Sequence, residues 1–321
     1  MKKTFKVFLF AILGIGILAI VFVVYVSTAK IPVYAVDFPD LEIEYTPERV
    51  AEGERIVSVL CQQCHASPDG KLGGTYMSDA KDFGEIYTAN ITQHPELGIT
   101  DYTDGELAYL IRSGVRRDGQ YVPPWMPKFP LLSDEDLYSV IAFLRSDHPL
   151  VEPSDMEQPE PDPSFFAKFL LRTSLKPLPY PEGPVIAPPE SDKTAYGRYL
   201  AVGKFDCYAC HSASFAKMDP MQPENSKGYF GGGNILYDKQ MNKVISANLT
   251  MDEETGLGKW TEEEFITTLR FGRKPDGTAV QPPMMPAPRI TDEEASAIWT
   301  YLQTVPKIHN PKSSTQGLQA D

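Results

Sequence analysis

The apolar positions of the chain begin with one uninterrupted run near the N-terminus. Residues 7–27 carry no charged side chain and follow Lys2, Lys3 and Lys6. As a helix, these 21 residues reach about 32 Å, which is enough to cross the hydrocarbon core of a bilayer. The pattern predicts a membrane anchor over residues 1–30, with a cleaved signal peptide as the alternative. The lysines favour a cytoplasmic N-terminus, with the rest of the chain on the other side of the membrane.

Shorter apolar stripes with helical spacing recur along the rest of the chain. One lies in residues 48–60 and another in residues 194–205, each just before a pair of cysteines. Two later segments open with Ser133 and Thr291 as candidate N-caps and repeat apolar residues at i, i+3, i+4 and i+7. These residues are Leu137, Val140, Ile141 and Leu144 in one segment and Ala295, Ile298, Trp299 and Leu302 in the other. The spacing predicts an all-α fold with these stripes in the core.

The elements belong to an internal repeat. Nine residues recur 158 positions later: Asn90, Thr92, Gly98, Thr103, Glu106, Arg112, Gly114, Asp118 and Gly119 match Asn248, Thr250, Gly256, Thr261, Glu264, Arg270, Gly272, Asp276 and Gly277. Thr103 with Glu106 and Thr261 with Glu264 form capping-box patterns that open equivalent helices in the two copies. We therefore expect two tandem copies of one domain. The first copy covers residues 40–148 and the second copy covers residues 191–308.

The segment between the copies has a different composition. Residues 149–190 contain 11 prolines, which predicts a semi-rigid linker. Within it, residues 165–175 predict a short helix that packs on a domain, and contact with a membrane surface or a partner is the alternative. Residues 309–321 are polar and predict a disordered tail.

The charge and the cysteines narrow the class of function. The 321-residue chain has a formal net charge of −13, which argues against binding to nucleic acid, because phosphates would be repelled. All four cysteines lie in two copies of one pentapeptide, CQQCH from Cys61 to His65 and CYACH from Cys207 to His211. In this pattern both thiols, here Cys61 with Cys64 and Cys207 with Cys210, attach a c-type haem and the histidine binds its iron.

A zinc site and a redox dithiol are the alternatives for a Cys-x-x-Cys pair. A structural zinc ion needs four ligands, and no second paired motif lies near either pentapeptide. The sequence therefore favours two covalently attached haems.

A six-coordinate haem needs a second ligand opposite its histidine. Met126 in PPWMP and Met285 in PPMMP lie at matched places after the repeat, and their flanking prolines align 159 positions apart. We expect these two methionines to bind the irons, with His65 and His211 on the other side. Met284 is the rival at the second site and His94 is the rival at the first.

Each copy resembles a class I cytochrome c domain, in which a helix leads into CxxCH, a Met-Pro loop follows, and the last helix carries an aromatic residue, here Phe143 or Tyr301. Residues 40–308 are similar to bacterial dihaem cytochromes and to the cytochrome subunits of periplasmic alcohol and gluconate dehydrogenases. The resemblance implies that haem domains face the periplasm from the bacterial cytoplasmic membrane. It also implies that four matched residues lie near haem propionates, with turn stabilisation as the alternative: Asn90, Thr92, Asn248 and Thr250.

Two closed His/Met sites predict a carrier of single electrons rather than an enzyme, because saturated iron leaves no position for a substrate. The partners that the resemblance implies are a dehydrogenase, a quinol-oxidising complex or a terminal oxidase. The alternative is a dihaem enzyme, such as a peroxidase with one open iron.

Overall fold

The computed structural model describes residues 2–238 and 240–313. Helices dominate, and the described residues also form two short antiparallel ribbons. The helices are α1 Lys2–Ser27, α2 Pro47–Leu60, α3 Gln62–His65, α4 Asp104–Ser113, α5 Asp134–Leu144, α6 Phe165–Thr173, α7 Lys193–Arg198, α8 Cys207–His211, α9 Glu262–Phe271 and α10 Asp292–Leu302. The ribbons pair β1 Gly84–Glu85 with β2 Asp162–Pro163, and β3 Ile235–Tyr237 with β4 Lys243–Ile245. The prediction of a mainly helical fold is confirmed.

Helix α1 is long and apolar enough to cross a membrane. Among the described residues, the span Thr4–Ser27 has a mean hydropathy of 3.2. Most of its side chains are exposed, although Val26 near its end is buried. A signal sequence near an N-terminus has the same properties. The structure therefore agrees with both interpretations of this segment.

Two apolar cores lie under the two copies of the repeat. The first draws its buried residues from positions 56–151 and the second from positions 199–305. In each, the helix before the cysteines crosses the last helix of the copy: α2 crosses α5, and α7 crosses α10. The division of the chain into two tandem domains stays a prediction, but each copy has its own core.

A glycine lies at both helix crossings. A Cβ atom on Gly53 would stand 1.9 Å from the carbonyl oxygen of Ser139, and one on Gly197 would stand 1.9 Å from that of Ala297. Ser139 and Ala297 are matched positions of the repeat, 158 residues apart. The structure shows that each glycine lets two helix backbones touch.

The second crossing helix contains an irregularity. Gly53 precedes its cysteine motif by eight residues, whereas Gly197 precedes its own by ten. After Arg198 the chain continues as a π-helix from Tyr199 to Lys204, and Asp206 follows with a positive φ of 52°. Wider winding absorbs inserted residues without moving the ends of a helix. The extra residues therefore leave both the glycine contact and the cysteine motif in place.

The helix ends follow the predicted caps. Thr103 and Thr261 form complete capping boxes with Glu106 and Glu264, and both helices end at a glycine in the left-handed conformation. Thr291 also forms a complete box, whereas Ser133 caps α5 by accepting from one backbone amide, that of Asp136. Short polar side chains at these positions satisfy the free N–H groups of the first turn.

The proline-rich segment packs against the first copy along much of its length. Val151 belongs to the first core, Tyr180 stacks on Tyr109 with ring centroids 5.0 Å apart, and the carbonyl of Val185 accepts from the amide of Asp134 at 2.8 Å. Helix α6 is two residues shorter than predicted. Whether the segment acts as a linker stays a prediction. Most of its prolines are exposed, while the residues between them pack on the first copy.

The predicted disorder of the tail is wrong for its first residues. Asn310 donates to the carbonyl of Gly231 at 3.0 Å, and Ser313 is buried. These contacts close the loop that carries Gly231 and Gly232. The rest of the tail, from residue 314, lies outside the described residues.

A buried ion cluster joins the two copies. The ammonium group of Lys204 is 6% exposed and lies 2.7 Å from a Glu52 oxygen, 3.2 Å from Asp136 and 3.7 Å from Glu294. Arg55 pairs with both Glu52 and Glu294. Burial alone would lower the pKa of Lys204, but the carboxylates around it raise its pKa above the ordinary value. The same attraction lowers the pKa of Glu52 against the effect of burial.

The glycine contact gives the first prediction. The methyl group added by Gly53→Ala would overlap the carbonyl oxygen of Ser139, so the two helices must separate. We expect the free energy of unfolding to fall by about 1–3 kcal/mol or more. Gly183→Ala is the matched control, because nothing lies within 4 Å of its added Cβ atom. Denaturant titration of both variants measures the difference. Equal stabilities would show that the crossing tolerates a side chain.

The ion cluster around Lys204 gives the second prediction. Lys204→Met removes the cation that neutralises three buried or half-buried carboxylates, and uncompensated charge in such a site costs about 3–5 kcal/mol. Lys217→Met, at an exposed position, is the control and should leave the free energy of unfolding nearly unchanged. If the two variants unfolded at the same denaturant concentration, the cluster would not hold the copies together.

Candidate haem sites

Both cysteine-histidine motifs lie on short helices that directly follow the crossing helices. In the first copy Cys61 ends α2, and α3 carries Cys64 and His65. In the second, α8 spans Cys207–His211. One helical turn puts the two cysteines of each motif on the same side, and all four thiols are free. The structure therefore brings together the residues that the sequence paired in each motif.

The two histidines are held in the same way. Nδ1 of His65 lies 2.8 Å from the carbonyl oxygen of Ala89, and Nδ1 of His211 lies 2.8 Å from that of Ala247. A carbonyl oxygen accepts only, so each Nδ1 carries the proton and Nε2 is left with its lone pair. Burial lowers the pKa of both imidazoles, although these hydrogen bonds act in the opposite direction. A neutral ring with a free Nε2 is the form that binds a metal.

These donors fit a c-type haem. Each motif presents two thiols for the vinyl groups and one oriented imidazole nitrogen for iron, which is the donor set of covalent haem attachment. The described residues contain no group of three or more histidine, cysteine or acidic side chains that would hold a different metal ion. The zinc alternative therefore finds no four-ligand site in the part of the chain that the structure describes.

The two asparagines of the internal repeat, Asn90 and Asn248, form buried turns next to these carbonyls. Asn90 accepts from the amide and the hydroxyl of Thr92, at 3.0 and 2.6 Å, and Asn248 accepts from the same groups of Thr250, at 2.9 and 2.8 Å. The amide NH₂ of each asparagine donates to other protein oxygens. These contacts support the turn-stabilising alternative, because the polar atoms already have partners. The turns fix the strand of backbone that holds the histidines.

The two methionine loops have the same backbone hydrogen bonds. Val122 donates to Gly114 and Met126 to Pro123 in the first loop. In the second, Val280 donates to Gly272 and Met284 to Gln281. Phe129 and Ala287 then close the loops onto Ile111 and Leu269. Every one of these bonds is related by 158 positions, without an insertion, so the structure pairs Met126 with Met284. Aligning the prolines at 159 paired it with Met285.

The surroundings of the two loops differ. Residues 32–34, just after α1, bond to residues 119–121 before Met126, and Phe83 contacts Trp125 with centroids 6.1 Å apart. Lys128 donates to the carbonyls of Pro123 and Met126. In the second loop Met284 and Met285 are 36% and 48% exposed. The first loop is thus covered by the chain that leaves α1, and the second is open.

The other histidines are engaged elsewhere. Nδ1 of His94 accepts from the amides of Glu96 and Leu97, and its Nε2 lies 3.3 Å from Asp155. His148 and His309 lie within reach of Glu54 and Asp252. The contacts of His94 argue against it as the distal ligand of the first haem.

Residues 48–144 match a family model described as cytochrome C oxidase, cbb3-type, subunit III. The chain is also 28% identical over 305 residues to the cytochrome c subunit of the quinone-type alcohol dehydrogenase of Gluconobacter oxydans, covering 90% of this chain and 61% of that one. The resemblance to cytochrome c subunits is confirmed.

Other relatives of this cytochrome-like chain carry related names. It is 29% identical to a fructose dehydrogenase cytochrome subunit from Gluconobacter japonicus, covering 78% of this chain and 51% of that protein. It is 26% identical to a diheme c-type cytochrome from Cereibacter sphaeroides, covering 84% of this chain and 90% of that protein. The chain therefore spans only about half to three fifths of the dehydrogenase subunits but most of the diheme cytochrome.

Sequence reasoning missed the carbonyls of Ala89 and Ala247 and the buried Lys204. A backbone carbonyl has no side-chain signature, yet both alanines directly precede the repeated asparagines, so the repeat marked their place. Lys204 gave no signal, because its importance comes from carboxylates 68 to 152 residues away in the sequence.

Proposed function

We propose that this chain is a membrane-anchored dihaem cytochrome that passes single electrons to or from a dehydrogenase complex. The observation that carries the proposal is the pair of equivalent sites, in which His65 and His211 are aimed by the carbonyls of Ala89 and Ala247. Two sites with the same donors and the same support are what a duplicated carrier needs. An enzyme with one open iron would instead need the ligands of its two sites to differ, whereas here both loops carry a methionine, although the first loop is covered and the second is exposed.

Each group in a site has a separate task. Cys61 and Cys64 would attach the first haem, and Cys207 and Cys210 would attach the second, while His65 and His211 would hold the iron through Nε2. When bound, the haem supplies a reversible one-electron change at iron. The carbonyl bond to Nδ1 keeps the imidazole from rotating and makes it a stronger donor.

The methionines supply the distal ligands in this proposal. Met126 lies on a loop that is stiffened by prolines and held by Lys128, and it would be the ligand of the first haem. At the second haem the shared hydrogen-bond register supports Met284, while the aligned prolines support Met285. A thioether favours the reduced iron and raises the potential relative to two nitrogen ligands.

In this proposal the two sites are held in a fixed relation to each other. The Lys204 cluster supports this arrangement, because Lys204 and Glu294 of the second copy meet Glu52 of α2 and Asp136 of α5 in the first.

The location and partner follow from the anchor and the relatives. Helix α1 would hold the haem sites at the periplasmic face of the bacterial cytoplasmic membrane. The relatives named as dehydrogenase cytochrome subunits support a dehydrogenase as electron donor. A quinol-oxidising complex or a terminal oxidase would then serve at the other end of the path.

Alanine substitutions test the ligands. Ferric haem with a His/Met pair has a weak long-wavelength absorption band, and we expect Met126→Ala to remove the part that belongs to the first haem. Met284→Ala should remove the rest, and Met285→Ala, its neighbouring control, should leave the band intact. Recording the oxidised spectrum of the purified holoprotein measures all three.

Other outcomes have clear meanings. If Met285→Ala removes the part of the band that belongs to the second haem and Met284→Ala does not, Met285 is the ligand. The aligned prolines, and not the hydrogen bonds, would then mark the residue equivalent to Met126. An unchanged band in all three variants would contradict His/Met ligation. A high-spin haem in the unmodified protein together with turnover of peroxide would contradict the carrier and favour a dihaem peroxidase.

A further inference from the structure

Helix α6 has an apolar face that the rest of the chain leaves uncovered. Ala167 and Leu171 point into the protein and are buried, whereas Phe165 is 44% exposed and Phe166 is 56% exposed. The helix contains no acidic residue, and its charged side chains are Lys168 and Arg172. Large aromatic side chains in water are costly, because each loses about 2–3 kcal/mol of favourable burial. Something apolar is therefore expected on this face.

The contacts of α6 with α1 show what that is. The ring of Phe169 meets the ring of Phe22 edge-on, with centroids 6.1 Å apart. Phe22 lies five residues before the end of α1 at Ser27, which corresponds to about 7.5 Å along a helix axis. Phe169 is thus level with a turn inside the apolar span, not with its end.

The polar groups of α6 lie at a different level. Nζ of Lys168 is 3.4 Å from the carbonyl oxygen of Ser27, and the Arg172 guanidinium donates to the carbonyl of Lys30 at 2.6 Å. These two carbonyls are at and beyond the end of α1. The charged side of α6 therefore lies at the end of the span and its aromatic side lies deeper, as in helices that rest in the interface of a bilayer.

We propose that α6 lies in the outer leaflet of the membrane, with Phe165, Phe166 and Phe169 among the upper acyl chains. The occupant of the exposed face is lipid, because that face continues the lipid-facing surface of α1. An interfacial helix of this kind buries its apolar side about 5–10 Å into the boundary between headgroups and acyl chains, which agrees with the level of Phe22. This inference rests on the proposed anchoring role of α1.

The inference also orients the first haem site. Phe166 stacks on Phe83 with centroids 6.5 Å apart, and Phe83 in turn contacts Trp125, next to Met126. On its other side the same loop bonds to residues 32–34. Five residues from Ser27 to Pro32 span at most about 18 Å. The methionine loop of the first haem therefore faces the membrane surface, so a membrane-bound partner would meet this haem.

A photoactivatable lipid tests the position of α6 directly. The full-length holoprotein is placed in lipid nanodiscs that contain phospholipid with a diazirine on the upper acyl chain, irradiated, and mapped by peptide mass spectrometry. We expect adducts on α1 and on residues 165–171. Residues 213–218 should carry none, although Phe215 is 51% exposed, so exposure alone does not explain labelling.

Matched variants sharpen the test. Phe165→Glu should abolish the adducts on α6 and leave those on α1, because a carboxylate resists burial among acyl chains. Phe215→Glu should change neither, and an unchanged haem spectrum in both variants shows that the sites are intact. Adducts on α1 without adducts on α6 in the unmodified protein would overturn the inference and leave the anchor standing. Adducts on neither helix, with release of the protein by alkaline carbonate, would overturn the anchor itself.

Discussion

Each copy of the repeat depends on one close contact, in which a glycine of the first helix touches the backbone of the last. Gly53 and Gly197 leave no room for a methyl group against Ser139 and Ala297. The contact fixes the direction in which the first helix leaves the crossing, and the cysteine motif follows within eight or ten residues. The position of the histidine of each motif relative to its core is therefore set by a residue that has no side chain. The π-helical stretch before Cys207 takes up two additional residues between Gly197 and the cysteine motif. The glycine contact and the motif both keep their places.

A cluster of charged side chains around Lys204 joins the two copies, each of which has its own glycine contact. Asp136 and Glu294 are matched residues in the first turns of the two last helices. The Asp136 carboxylate accepts from the Ser133 hydroxyl and the Glu294 carboxylate accepts from the Thr291 amide, and both also face Lys204. Acidic groups at a helix N-terminus are favourable on their own, so the cluster uses groups already present for capping. A single lysine from the π-helical stretch then turns two separate caps into a shared contact.

Much of this arrangement could be predicted from the sequence, and the exceptions have physical causes. Helix ends were predictable because Thr103, Thr261 and Thr291 cap through local hydrogen bonds. The histidines were predictable because the cysteine motif is itself local. The ion cluster, the carbonyl of Ala89 and the packing of residues 149–190 depend on contacts between distant parts of the chain, which composition and periodicity do not encode. The choice between Met284 and Met285 also depends on the fold. The prolines align the two loops at an offset of 159 residues, whereas the backbone hydrogen bonds align them at 158, and only the folded chain shows the hydrogen bonds.

The central claim is that the chain holds two haems in equivalent sites, and haem counting tests it most directly. The full chain is produced in a host that attaches c-type haem, and the purified protein is measured by intact mass and by the absorbance of its haem in alkaline pyridine. The account predicts two haems for each chain, bound by thioether bonds to the peptides that contain Cys61–His65 and Cys207–His211. One haem for each chain, or free thiols in either motif after complete maturation, would contradict it.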